Sequence, residues 1–162
     1  MSHTHPTPSD PALSPSLSCT ASPPAHAPAA PVPWADAQRE KAFSLWLAGV
    51  APAQGLHIAS LRIASADASF RRYLRIDTLQ GGARIIMDAP PDKEDCKPFV
   101  KMAQLLTGAG LLAPEVLAWD EALGFMLLTD LGAQTMMEQI VQDTPQANLP
   151  RYMQAVDALL QL

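Results

Sequence analysis

The stretch Gly124-Phe-Met-Leu-Leu-Thr-Asp-Leu-Gly132 decides how this chain is read. Four consecutive apolar residues, Phe125 to Leu128, suit a strand buried on both faces, and Asp130 with Gly132 punctuates its end. A buried strand that breaks into an acidic, glycine-ended turn has the form of a hinge. Its meaning depends on what precedes it.

Working back toward the amino terminus, Pro114 opens a strand over Val116 to Trp119, and the turn Asp120-Glu-Ala-Leu-Gly124 leads into the strand Phe125 to Thr129. Before these lies a helix capped by Asp92 or Asp95. Phe99, Met102, Ala103 and Leu106 form its apolar stripe, and Gly108 and Gly110 end it. Ala83 to Asp88 reads as a strand entered through the tight turn Gln80-Gly81-Gly82 and stopped by Ala89-Pro90-Pro91. Phe70 to Ile76 alternates, with Phe70, Arg72, Leu74 and Ile76 on one face and Arg71, Tyr73 and Arg75 on the other. Leu56 to Ile63 reads as its hairpin partner, with a bulge near Ala59 and a connection through Ser65 to Ser69. A helix over 34–48 places Phe43, Trp46, Leu47 and Val50 on one stripe and stops at Gly49 and Pro52. Downstream of the hinge, helices are expected over Thr135 to Val141 and Pro150 to Leu162.

Composition separates the chain into parts. More than half of its 16 prolines fall within residues 1–33, among small polar side chains that bury too little apolar surface to offset ordering. That segment is expected to be a disordered tail, and the 48% hydrophobic content of the 162 residues must build its core downstream. The net charge of −5 argues against a nucleic-acid surface, although Arg71, Arg72 and Arg75 cluster locally. Neither a secretory signal nor a membrane-length apolar run is visible. Cys19 and Cys96 form no metal spacing and no plausible disulfide, which suits a reducing cytoplasm.

Three antiparallel strands, a helix, two further strands and a hinge make an α+β arrangement laid out like the smaller lobe of a protein-kinase-like fold. Three segments carry the resemblance further: Asp67-Ala-Ser-Phe-Arg-Arg-Tyr-Leu-Arg75, Ile86-Met-Asp-Ala-Pro-Pro-Asp-Lys-Glu-Asp95 and the hinge run itself. From Trp34 onward the chain resembles the aminoglycoside phosphotransferase family. Within it, the resemblance is to bacterial kinases that phosphorylate N-acetylmuramate and N-acetylglucosamine at the anomeric carbon in cell-wall recycling.

That resemblance implies a nucleotide-binding lobe over 34–132 and the first helices of a second lobe over 133–162. It implies ATP and Mg2+ as cofactors and a small sugar as substrate. Ser65 to Phe70 would fold over the phosphates, with the Ser69 hydroxyl, backbone amides and Arg71 or Arg72 donating to phosphate oxygens. At the hinge, the Thr129 carbonyl would accept from the adenine amino group and the Leu131 N–H would donate to the ring, around Asp130. Ile86 and Leu128 are candidates to pack on the purine. The third strand departs from protein kinases, which carry a phosphate-binding lysine there; this chain has Met87-Asp88. Arg71, Arg72, Lys93 or Lys97 is then the cation that meets phosphate, and Asp88 would orient it.

Phosphoryl transfer also needs a carboxylate base and a metal-holding carboxylate, carried in such families by an H-x-D loop and a later aspartate. None of His3, His5, His26 or His57 belongs to an H-x-D triplet. The amphipathic run Ala155 to Leu162 has no stop signal, so the chain is expected to be a kinase fragment, inactive alone and with its metal ligands elsewhere. Two other readings share these residues: a kinase of another small alcohol or an aminoglycoside, and a non-catalytic nucleotide-binding or interaction module.

Overall fold

The computed structural model describes residues 31–66 and 70–161. Helix α1, Ala37–Gln54, begins where the Asp36 carboxylate accepts from the Gln38 amide at 2.8 Å. Phe43, Leu47 and Ala51 form its buried stripe, with Trp46 and Val50 packed beside them. The helix does not stop at Gly49 or Pro52, as the sequence suggests. Pro52 lies in the last turn, where its missing N–H forfeits one intrahelical bond, while continuing the helix brings Ala51 and Leu56 into the core. Gly55, at φ 59°, is the actual stop, and its N–H reaches the Ala51 and Pro52 carbonyls.

The strand expected over Leu56 to Ile63 is replaced by a turn. Leu56 makes only an isolated bridge with Thr78, Ile58–Ser60 is a 3-10 turn, and the first strand, β1, is Arg62–Ala66. The Ser60 hydroxyl causes this: it donates to the His57 carbonyl at 2.6 Å and accepts from the Asp77 amide at 2.8 Å, folding the chain back. The other strands are β2 (Arg72–Asp77), β3 (Ala83–Asp88), β4 (Val116–Asp120) and β5 (Phe125–Thr129). Phe70, expected in β2, lies before it. The sheet order is β1-β2-β3-β5-β4, and each neighbouring pair is antiparallel.

Alternation divides the sheet into two faces. Leu74, Ile76, Ile86, Phe125 and Leu127 point toward α1, while Met87, Met126 and Leu128 point to the opposite side. Helix α2, Lys97–Gly108, covers this second face through Phe99 and Val100, with Ala103 buried. Met102, placed on that stripe by its spacing, is exposed because α2 meets the sheet along the 99–103 side. Burial from both sides explains why β5 is apolar at four successive positions.

Gly124 sets the entry to β5. At φ 69° it approaches so closely that a Cβ there would lie 1.9 Å from the Ala89 carbonyl oxygen. Beyond the hinge, the helix expected over 135–141 is only a 3-10 turn, Met137–Gln139. The buried Asn148 side chain brackets Val141, accepting from its N–H and donating to its carbonyl, which holds the backbone extended. Helix α3, Leu149–Leu159, follows.

Candidate nucleotide groove

Between β1, the second face of the sheet and the segment after β5 lies a groove of about 410 Å³. Ile85, Leu128 and Phe99 supply apolar walls, Tyr73 and Arg75 line it from β2, and Thr129 to Ala133 form its far edge. An apolar slot edged by backbone polar groups is the form a planar ring with hydrogen-bonding edges requires.

The hinge is locked from β2. Arg75 Nε lies 2.8 Å from Asp130 Oδ2, an ion-pair contact without hydrogen-bond alignment, and Nη2 donates to Asp130 Oδ1 at 3.1 Å and to the Gly132 carbonyl at 3.0 Å. Asp130 Oδ1 also accepts from the Gly132 amide at 2.9 Å. Thr129 closes the β4 side: its N–H donates to the Glu115 carbonyl and its hydroxyl accepts from the Glu115 amide. Thr129, Asp130 and Leu131 therefore stand at the groove, with Thr129 tied to Glu115 and Asp130 to Arg75. Leu128 joins them on the wall.

Ile86 is placed elsewhere. It is fully buried on the α1 face, and its neighbour Ile85 faces the groove. Both strand faces are apolar, so alternation alone does not say which residue meets the groove. Asp88 and Arg72 likewise lie on the Ile86 side. The Asp88 carboxylate, 3% exposed, accepts from Arg39 Nε at 2.8 Å and from Arg72 Nε at 2.6 Å, and Arg39 Nη2 also contacts it. Arg72 further donates to the Pro33 carbonyl at 2.8 Å and covers the Trp34 ring at 3.6 Å. Asp88 does orient a cation, but it draws Arg72 toward the amino-terminal segment and away from the groove.

Arg71 takes the other side. Its Nε donates to Glu94 Oε2 at 2.9 Å. Burial would lower the guanidinium pKa, but Glu94 and then Tyr73 outweigh it, so it is raised and the cation is firmly held. Lys97 bonds Glu121 at 2.7 Å on the surface, which raises its pKa. Lys93 is 3.6 Å from Asp92, and its ammonium lies 5.9 Å from the centre of the exposed Phe70 ring. Ser69 falls outside the described residues. Sequence reasoning missed Arg39, Glu94 and Ile85 and left Arg75 without a role. Arg39 meets an aspartate 49 positions away, a pairing that no local pattern announces.

A smaller hollow of about 220 Å³ near Trp119 is lined by Glu94 and has no hinge backbone. Among the described residues, no group of three or more His, Cys, Asp or Glu side chains could hold a metal ion. No helix among the described residues is long and apolar enough to cross a membrane.

A five-stranded antiparallel sheet with helices packed on both faces, ending in a hinge beside an apolar groove, is the arrangement of the smaller lobe of a protein-kinase-like fold. The phosphotransferase enzyme family model matches residues 60–162, more than half the chain, and the protein belongs to that family. Three relatives bear the name N-acetylmuramate/N-acetylglucosamine kinase. The protein from Pseudomonas aeruginosa is 57% identical over 82 residues, 49% of this chain and 23% of its own length. That from Pseudomonas putida is 42% identical over 127 residues, 78% of this chain and 35% of its own. That from Neisseria meningitidis serogroup B is 35% identical over 126 residues, 77% of this chain and 36% of its own. The chain thus spans only about a quarter to a third of the relatives' length.

Proposed function

We propose that the groove binds ATP and that this chain is the nucleotide-binding part of a kinase acting on an amino sugar, N-acetylmuramate or N-acetylglucosamine. In this reading 34–132 is the nucleotide lobe and hinge, 133–162 begins a helical lobe, and 1–33 is a tail. The observation that carries it is the hinge: Glu115 ties Thr129, and Arg75 ties Asp130 and Gly132, beside an apolar slot. A preformed edge loses little ordering entropy when a ring docks on it. The adenine amino group donates to the Thr129 carbonyl, the Leu131 N–H donates to the ring, and Leu128, Ile85 and Phe99 pack on its faces.

The complete reaction moves the γ-phosphoryl group to a sugar hydroxyl oxygen, breaking the bond to ADP while the hydroxyl proton passes to a base. No residue of this chain is assigned as that base. The 162-residue chain binds nucleotide without transferring phosphate, and the family name of the three relatives supports the choice of sugar. Metal-free calorimetry with adenosine and ATP tests the groove. Leu131→Pro removes the hinge donor without changing charge, and binding of both ligands should fall about 10-fold, the value of one well-placed hydrogen bond. Equal binding by the variant and the parent chain would overturn the hinge assignment. Sugar-dependent ADP formation by the 162-residue chain would overturn the division of labour.

A further inference from the structure

We propose that Arg71, gripped by Glu94, is the cation that receives the nucleotide's phosphate chain, an arginine just before the second strand serving where the third strand offers none. The inference rests on the nucleotide reading of the groove and adds the site for the charged half of the ligand.

The third strand cannot supply the cation. Its last groove-side residue, Met87, is apolar and fully buried, and Asp88 turns to the opposite face. Three other cations in this region are drawn elsewhere. Arg72 is fixed by Asp88, Trp34 and the Pro33 carbonyl on the α1 side. Lys97 pairs with Glu121 on the outer surface, and Lys93 stands exposed beside Asp92.

Arg71 has both the right face and the right distance. The β2 residues of the groove, Tyr73 and Arg75, share its alternation, with Arg75 at the hinge end. At about 3.3 Å per residue, Arg71 lies about 13 Å along the chain from Arg75, far enough for a purine and ribose to lie between hinge and phosphates. It follows directly on residues 67–69, the expected phosphate loop. A guanidinium presents a planar fork that matches the geometry of phosphate oxygens, and the Nε contact to Glu94 orients that fork.

The grip itself is built by the Ala89-Pro90-Pro91 run. The Lys93 and Glu94 amides both donate to the Pro90 carbonyl at 2.9 Å, a turn that lifts the Glu94 carboxylate to Arg71. Glu94 is a positioning residue, 14% exposed, whose charge also keeps the arginine from folding away into solvent. The proline pair thus acquires a purpose beyond ending a strand.

Calorimetry of the 162-residue chain, with ATP and adenosine each in metal-free buffer, tests the assignment. Arg71→Ala should weaken ATP about 10- to 100-fold and leave adenosine within about 2-fold, the range for charged hydrogen bonds. Glu94→Gln should weaken ATP by a smaller factor, again sparing adenosine, because orientation is loosened while the cation remains. Arg71→Gln, of similar shape, repeats the test should the alanine chain not fold. An unchanged ATP-to-adenosine ratio in the folded Arg71 variant overturns the inference, as does a selective loss of ATP in Lys93→Ala instead. A parent chain that binds neither ligand overturns the groove reading on which it rests.

Discussion

Replacing Asp88 by alanine removes one acceptor from two guanidinium groups at once. Deleting one partner of a buried ion pair costs about 3–5 kcal/mol, because the remaining charge is left uncompensated. Here the carboxylate is 3% exposed but Arg39 and Arg72 are 20% and 28% exposed, so water screens part of the stranded charge. The expected loss is therefore about 2–4 kcal/mol, a large share of the roughly 5–15 kcal/mol typical of a folded domain. At about 2–4 °C per kcal/mol for a chain of this size, melting should drop by about 4–16 °C. Equilibrium urea unfolding followed by tryptophan fluorescence measures this, since Trp34 lies 3.6 Å from the Arg72 guanidinium and senses its release. Adding Arg72→Met to Asp88→Ala should recover part of the loss by removing one unpaired charge. A loss below about 1 kcal/mol, or a double variant no more stable than the single, would refute the idea that Asp88 neutralises both arginines.

Three further outcomes are expected. Gly124→Ala places a methyl group against the Ala89 carbonyl at a positive φ, and should destabilise by more than the roughly 1–2 kcal/mol of left-handed backbone alone; unfolding no easier than in the parent would contradict the close approach. Arg75→Met frees Asp130 and the Gly132 carbonyl, so amide exchange at 130–132 should accelerate while exchange in β5 stays slow, read by peptide-level hydrogen exchange. Burial first, with Glu94 and Asp95 adding and Arg71 opposing, pushes the Cys96 thiol up. Its folded pKa exceeds the unfolded one, so this contribution to stability is full below about pH 8.5 and disappears as pH rises through the folded value. In a Cys19→Ser background, Cys96 should react slowly with a thiol reagent at pH 8 when folded and quickly in urea. Equal rates would show that the thiol is not shielded.

Much of the sheet could be read from local signals. Ala83–Asp88 and Phe125–Thr129 appear where alternation, glycine turns and prolines put them, since strand ends and tight turns depend on neighbouring residues. The failures at 56–63 and 135–141 share one cause. In each, a polar side chain, Ser60 or Asn148, captures backbone groups that regular structure would have used. Hydrophobic period says nothing about such capture.

By itself the sequence determined the order of elements, the doubly buried hinge strand and the acidic turn that ends it, because these follow from period, turn chemistry and apolar run length. Tertiary structure alone decided which face of the sheet meets the groove. With both faces apolar, Ile85 and Ile86 differ only in whether α1 or α2 docks over them. It also separated two adjacent arginines: Arg72 joins Arg39 at Asp88, and Arg71 joins Glu94 across the sheet. The physical reason is that charge pairing acts through space. Neighbours in a strand point to opposite faces, and each meets whatever distant residue the fold has carried there.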